Sequence, residues 1–355
     1  NYSFLRGASH PEELIEQAAA LGYRGIALTD YHSFAGSVRA YTAAKKAGIT
    51  LLIGTQLPLF ESFPERKTDR ETPEEVIEAQ AEQLHRFALP LSLLLYPTSR
   101  KAYGRLCTLL TKGKLRAPKG RCLLNIEDLQ DAHHGLIGIV VVHSLGHPEL
   151  LPLFDRLKKI FCHDRLSLAL RQNYGPESAQ RIERTAELSR LSGVPLVAVN
   201  DVHYHLAKRR ILQDVLSCIR KRCSLEEAGF SLFQNNERHL KPPEEMLRLF
   251  KRFPEALQRS TEIAELAANF SFDQLRYEYP REICPQQKAP IAYLRELVEK
   301  GKRRFYPNGV PQSVEALIEH ELQLIEELDY PKYFLTVYDI VAFARSKKIL
   351  CQGRG

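Results

Sequence analysis

The sequence predicts an α/β fold in which a barrel of strands and crossover helices is followed by a mainly helical segment. Three observations predict it. Six or seven strand-helix units precede residue 205, the signature of a parallel sheet with crossover helices. The strands are short apolar runs that stop at polar residues, most clearly VPLVAVNDVHY at 194 to 204, where Asp201 and His203 sit at a strand's C-terminal end, the position that carries chemistry in such barrels. After His205 the pattern turns predominantly helical.

The elements follow in order. Ser9, Pro11 and Glu12 read as a helix start, with Ser9 as cap, Glu12 completing a capping box, and Gly22 ending the helix. Residues 25 to 29 form a buried strand that delivers Asp30 and His32 into a loop. A helix over 34 to 47 stops at Gly48, and a strand over 49 to 53 ends at Gly54, Thr55 and Gln56. A Glu-rich helix over 73 to 86, capped by Thr72, precedes a strand over 91 to 96 and a helix over 100 to 110. A strand over 136 to 142 ends at His143, and His147 with Pro148 starts a helix reaching Lys159. A strand over 166 to 170 and a helix over 176 to 191 lead into 194 to 204.

Helices are then expected over 206 to 222, 243 to 250 and 254 to 268, and a Pro-rich stretch over 273 to 290 marks a domain boundary. Helices at 291 to 304, 313 to 328 and 334 to 347 precede a strand feeding Gly353, Arg354 and Gly355, a loop whose N–H groups and guanidinium suit phosphate.

At 355 residues the chain exceeds what one core usually organises, so two domains, or a barrel plus an appended piece, are expected. No apolar run approaches the roughly 18 to 20 residues of a membrane span. No signal peptide is visible, and Asn1 is not an initiator Met, so residues are expected in front of it. Seven scattered cysteines without a CxxC read as reduced cytosolic thiols, with Cys218 and Cys223 as one buried and one partly exposed helix residue. The net charge of +7 permits an acidic partner, and basic clusters at 112 to 119, 208 to 222 and 300 to 304 fit either nucleic-acid contact or solvated helix faces.

Asp30 with His32, His143 with His147 nearby, and Asp201 with His203 collect at successive strand ends. Carboxylate and imidazole converging on one barrel mouth suit a divalent ion, and two or three such ions would clamp a phosphoester and activate water. The structural alternative stands beside this: a lone His is ordinarily a hydrogen-bonded residue, and Asn and Asp end strands as turn residues. The carboxylate count is low, with Gln56 at a strand end where an acid would serve a metal better. No nucleophile elbow, Walker loop or dinucleotide fingerprint is present.

SFLRGASHPEELI (3 to 15), LTDYHSFAG (28 to 36), VAVNDVHY (197 to 204), NNERHLKPPEEM (235 to 246) and YPKYFLTVYDIVAFARSKKILCQGRG (330 to 355) resemble the bacterial C-family DNA polymerases. Among those they most resemble the error-prone branch, related to the polymerase III alpha subunit. The resemblance implies a polymerase-and-histidinol-phosphatase (PHP) domain over 1 to 275, with a distorted seven-stranded (β/α) barrel to about 205 and a helical extension after it. A linker and the truncated N-terminal part of the polymerase palm would occupy 276 to 355. Gly353, Arg354 and Gly355 would handle the incoming nucleotide's phosphates, and the carboxylates that bind Mg2+ for nucleotidyl transfer would lie beyond Gly355, so this fragment alone would not polymerise DNA. DNA primer-template, dNTPs, a sliding clamp and other accessory proteins are the implied partners, in the cytoplasm, for damage-tolerant synthesis and repair.

The family's metal pattern is incomplete here. Asp30 matches but Tyr31 follows it, displacing His32 by one; Gly-x-Glu survives as Gly54 and Gln56; the strand over 91 to 96 has no His; an expected acid near 167 to 170 is missing; Asp201 and His203 match. The implied site of Asp30, His32, His143, Asp201 and His203 is therefore degenerate, and a barrel kept as structural partner of the palm is favoured. The alternatives are an active metal-dependent phosphoesterase or 3'-5' exonuclease, and a non-catalytic scaffold for accessory proteins.

Overall fold

The computed structural model describes residues 2–62, 87–117, 120–276, 284–285 and 288–352. The expected helix over 73 to 86, and Gly353, Arg354 and Gly355, lie outside the described residues. The chain divides into two compact units, Asn1–Leu275 and Arg276–Gly355.

In the first unit a six-stranded sheet is built from β1 (Gly25–Tyr31), β2 (Thr50–Phe60), β3 (Ala88–Pro97), β4 (Leu136–Val142), β5 (Leu166–Arg171) and β6 (Leu196–Val199). Each strand lies beside its sequence neighbour, so six strands of the expected seven are present among the described residues. β1 and β2 are parallel, as are β4, β5 and β6. The sheet departs from the expected all-parallel arrangement at β3, which runs antiparallel to both β2 and β4. A strand buried on both faces has the same apolar content whichever way it points, so its direction leaves no local trace. Reversal places the start of β3, not its end, at the rim where β1, β2 and β4 finish, with Gln56 opposite Leu94 and Ser92 opposite Val141.

α1 (Pro11–Ala20) precedes β1, and between the strands run α2 (Ser37–Ala47), α3 (Arg100–Arg116), the short α4 (Asp128–Ala132), α5 (Leu150–Ile160) and α6 (Ser178–Ser192). The cap of α1 is displaced by one from expectation. His10 is the N-cap and its N–H donates to Glu13 at 2.8 Å, while the Ser9 hydroxyl pairs with His205 at 2.7 Å. α2 ends at Gly48 in the left-handed region, as expected of a glycine C-cap.

Side chains alternate across the sheet with the period of two that a strand imposes. Leu91, Leu93, Leu95, Val140, Val142, Leu168 and Leu170 face a core shared with Leu106 and Leu109 of α3 and Phe154 and Leu157 of α5. Leu52, Tyr96, Ile137, Ile139, Val141, Ala169 and Val197 face the other way, against Ile263 and Ala267.

After β6 the chain is helical: α7 (Arg210–Lys221), one turn of α8 (Leu225–Ala228), α9 (Pro243–Leu249) and α10 (Pro254–Ala267). Leu52 and Ile137 lie near the starts of their strands and Tyr96 near the end of reversed β3, so α10 covers the end of the sheet away from the strand-end carboxylates.

The second unit holds α11 (Pro290–Phe305), α12 (Gln312–Glu327) and α13 (Pro331–Ser346), packed around Leu294, Leu322, Ile325 and Leu335. The strand expected before Gly353 is not formed, because residues 349 to 352 carry no regular structure. Among the described residues no helix is long and apolar enough to cross a membrane, and all seven cysteines are free thiols.

Candidate functional site

Asp30, the penultimate residue of β1, is buried and fully engaged. Its Oδ1 accepts from Ser3 Oγ at 2.8 Å, its Oδ2 from the Gly36 N–H at 2.9 Å, and its own carbonyl takes Thr55 Oγ1 at 2.8 Å. The carboxylate thereby ties down the loop between β1 and α2. Position 36 requires glycine for this close approach, since a Cβ there would stand 2.7 Å from Asp30 Oδ2.

His32, two residues on, has a φ of 41° and donates its N–H to the Gln56 carbonyl at 2.8 Å. Gln56 Nε2 donates to Ser92 Oγ at 2.9 Å, and Ser92 Oγ lies 3.1 Å from His143 Nε2. An amide, a hydroxyl and an imidazole thus form a neutral chain at the point where a metal centre needs charge. Burial, followed by the charges of Lys114 and Arg6, pushes His32 down to about 4, and burial with the Arg171 charge also lowers His143. His147 stands apart, its Nδ1 accepting from the Glu149 N–H at 3.3 Å ahead of α5.

The other half of the rim is organised by Asp201. Its backbone lies in the left-handed region at φ 52°, which Asp tolerates better than most residues, so the turn reading holds locally. Its carboxylate is also a hub. Oδ2 accepts from Arg171 at the end of β5, at 3.2 Å, and from Arg238, while Oδ1 is 3.7 Å from His203 Nε2. Arg171 also donates to the Val142 carbonyl at 3.0 Å, joining the ends of β4 and β5 to Asp201. The His203 Nδ1–H donates to the Arg6 carbonyl at 2.7 Å, and the Arg238 guanidinium stacks over Phe233 at 4.2 Å. Burial alone would raise the Asp201 carboxyl, but the His203 contact and the Arg238 and Arg171 charges outweigh it and hold the group well below the ordinary value.

The five residues expected together are therefore divided. Asp201 and His203 are adjacent, His143 is linked to Gln56 through Ser92, Asp30 is consumed by its own loop, and His32 is held by the end of β2. Among the described residues no three His, Cys, Asp or Glu side chains converge as a metal requires. The donor set does not fit a cation, because the lone pairs of Asp201 point at two guanidiniums and those of Asp30 at a hydroxyl and an amide. Sequence reasoning missed Arg171, Arg238 and Ser92. Arg171 obeys the strand-end rule that singled out the other candidates, and Arg238 lies within NNERHL.

Residues 3 to 9 tie β1 to the segment that follows β6 at this rim. Ser3 bonds to β1, the Ala8 N–H donates to the His203 carbonyl at 2.9 Å, and Ser9 Oγ accepts from the His205 N–H at 2.9 Å.

A pH dependence follows from His32. Its folded value of about 4 lies below the ordinary 6.5, so its contribution to stability is complete above about pH 6.5 and is lost as pH falls towards 4. His32→Asn, which tolerates the left-handed backbone, is expected to flatten stability across that interval, with an NMR titration of the His32 ring giving a midpoint near 4.

Comparison with known proteins places these observations. The family model described as PHP domain matches residues 1–201, and that described as Bacterial DNA polymerase III alpha NTPase domain matches 292–355. An Error-prone DNA polymerase of Caulobacter vibrioides is 44% identical over all 355 residues, and Error-prone DNA polymerase 1 of Agrobacterium fabrum is 41% identical over the same length. The chain spans 30% of the length of each of these relatives. Among solved structures, an amidohydrolase from Chromobacterium violaceum aligns over 56% of this chain and 84% of its own at 14% identity, with a TM-score of 0.38. The curled sheet with its strand-end Asp and His residues is matched by its family model over more than half of the sequence, and the chain belongs to the PHP domain family.

Proposed function

We propose that this chain is the N-terminal part of an error-prone, DNA-directed DNA polymerase in which the PHP barrel is structural. The observation that carries the reading is identity above 40% over the full chain to two relatives named error-prone DNA polymerase. The polymerase III alpha match over 292–355 supports assigning 1 to 275 to the PHP domain and 276 to 355 to a linker and the start of the palm. DNA primer-template and dNTPs are then the substrates of the whole protein, with Mg2+ held by carboxylates outside this chain and Gly353, Arg354 and Gly355 near the nucleotide phosphates. A sliding clamp and other accessory proteins are its partners, and the cytoplasm its compartment.

In the barrel, Arg171 and Arg238 take the place of cations. They neutralise Asp201 and bind strand ends together, so the Asp and His residues retained at the rim serve its shape. The full-length protein is expected to extend a primer, and its Asp201→Asn variant to retain extension within roughly threefold at a temperature where it stays folded. Elemental analysis of this chain is expected to find less than about 0.1 metal ion per molecule. About two or more bound ions, with phosphoester turnover abolished by Asp201→Asn, would return the barrel to the phosphoesterase alternative.

A further inference from the structure

Most cations of the first two basic clusters are already committed. Lys112 and Arg116 hold the buried Asp128, Arg209 holds Glu13, Arg210 holds Asp214, and Lys221 donates to the Ser231 carbonyl. Arg6, Lys114, Arg121 and Arg220 are exposed, and each is without an acidic partner among the described residues.

They come from three parts of the chain, and their charges act on Tyr31 or His32. The Arg6 guanidinium lies 4.0 Å above the Tyr31 ring, and that ring is 4.5 Å from His32. The Leu123 N–H donates to the Gly113 carbonyl at 2.9 Å, bringing Arg121 alongside Lys114. The Phe60 N–H donates to Leu124, also at 2.9 Å, fixing this strip at the end of β2, the strand that pairs Gln56 with Tyr31. Arg220, at the end of α7, is depressed by burial and then by the Arg6 charge, which places the two guanidiniums within each other's field.

Exposed rings accompany the charges. Phe4 is 81% exposed, beside Ser3 and two residues from Arg6, and Phe230 is fully exposed, beside the Ser231 carbonyl that takes Lys221. Unpaired cations interleaved with exposed aromatic faces are the arrangement that tracks a flexible phosphodiester chain and stacks its bases.

We propose that the rim around Tyr31 is a binding surface for single-stranded nucleic acid, with Arg6, Lys114, Arg121 and Arg220 on phosphates and Phe4 and Phe230 on bases. No metal takes part, so binding is insensitive to chelators. The surface goes beyond nucleotidyl transfer and is tested on this chain alone, so its failure would leave the polymerase reading intact.

The probe is a fluorescein-labelled oligodeoxythymidine of about 20 nucleotides, followed by anisotropy in low salt with and without EDTA. The K114S/R121S/R220S variant is expected to bind at least about tenfold more weakly, and its slope of log K against log salt to fall by about 2, near 0.7 for each lost phosphate contact. K300S/R303S/R304S removes equal charge from α11 and is expected to bind within about twofold of wild type. F4A/F230A is expected to weaken binding by about tenfold with the salt slope unchanged. Arg6 is left in place to preserve its stack on Tyr31, and thermal midpoints of these surface variants are expected to match the parent. Equal losses in the two charge variants, tighter binding of a duplex of the same length, loss of binding on chelation, or no binding by the parent would each overturn the proposal.

Discussion

Asp201→Ala is expected to destabilise the first unit by about 3 to 5 kcal/mol, the cost of leaving buried or half-buried guanidiniums without their counter-charge. Both Arg171 and Arg238 converge on the Asp201 carboxylate, whose side chain is 23% exposed, so solvent replaces the lost partner only in part. The Ala variant also places a side chain that disfavours the left-handed region at φ 52°. Asp201→Asn keeps that backbone preference and isolates the charge, with an expected loss of about 2 to 3 kcal/mol. Urea unfolding at pH 7 measures both, and a loss below about 1 kcal/mol in the Ala variant would show that the guanidiniums find other partners. Because the folded carboxyl lies well below its ordinary 3.8, its contribution is complete above about pH 5 and is lost as pH falls further. The Asn variant is expected to lack that part of the acid response.

Gly54→Ala is expected to cost about 2 to 3 kcal/mol by overpacking. A Cβ at this position would stand 2.7 Å from two carbons of the Tyr96 ring and 2.9 Å from the Leu95 carbonyl oxygen. The ring is almost fully buried, and the carbonyl belongs to the strand paired with β2 through Thr55 and Leu95, so neither retreats freely. Tyr96→Leu in the same chain is expected to relieve the ring contact but not the backbone one, giving a coupling of at least about 1 kcal/mol in a double-mutant cycle. Additive losses would place the strain elsewhere.

The strands were legible because their apolar runs are local and their ends fall on polar residues; β4 occupies 136 to 142 as expected from LIGIVVV. The direction of β3 was not legible, and with it went the reason that this strand has no histidine at its end: Tyr96 and Pro97 point away from the rim, and Ser92 serves it instead. At Asp201 the two competing readings both describe the residue, a left-handed turn position and a charged hub. Its partner Arg238 lies 37 residues further along, beyond the reach of local pattern. Asp30 read as a candidate ligand because nothing in LTDYH indicates that Ser3, 27 residues earlier, would take one of its oxygens.

The seam made by the N-terminal residues bears on how the chain is made. Ser9 meets His205 across 196 residues, and Arg6 meets His203 across 197. At about 5 to 20 residues per second, residues 6 to 9 wait on the order of 10 to 40 s after their own synthesis for these partners. Contacts of such separation carry the largest loop-closure penalty and form late. During that interval Ala8 and Ser9 lack His203 and His205. Until then the same few residues that close the finished rim carry backbone and hydroxyl groups without their final hydrogen-bond partners, open to competing ones.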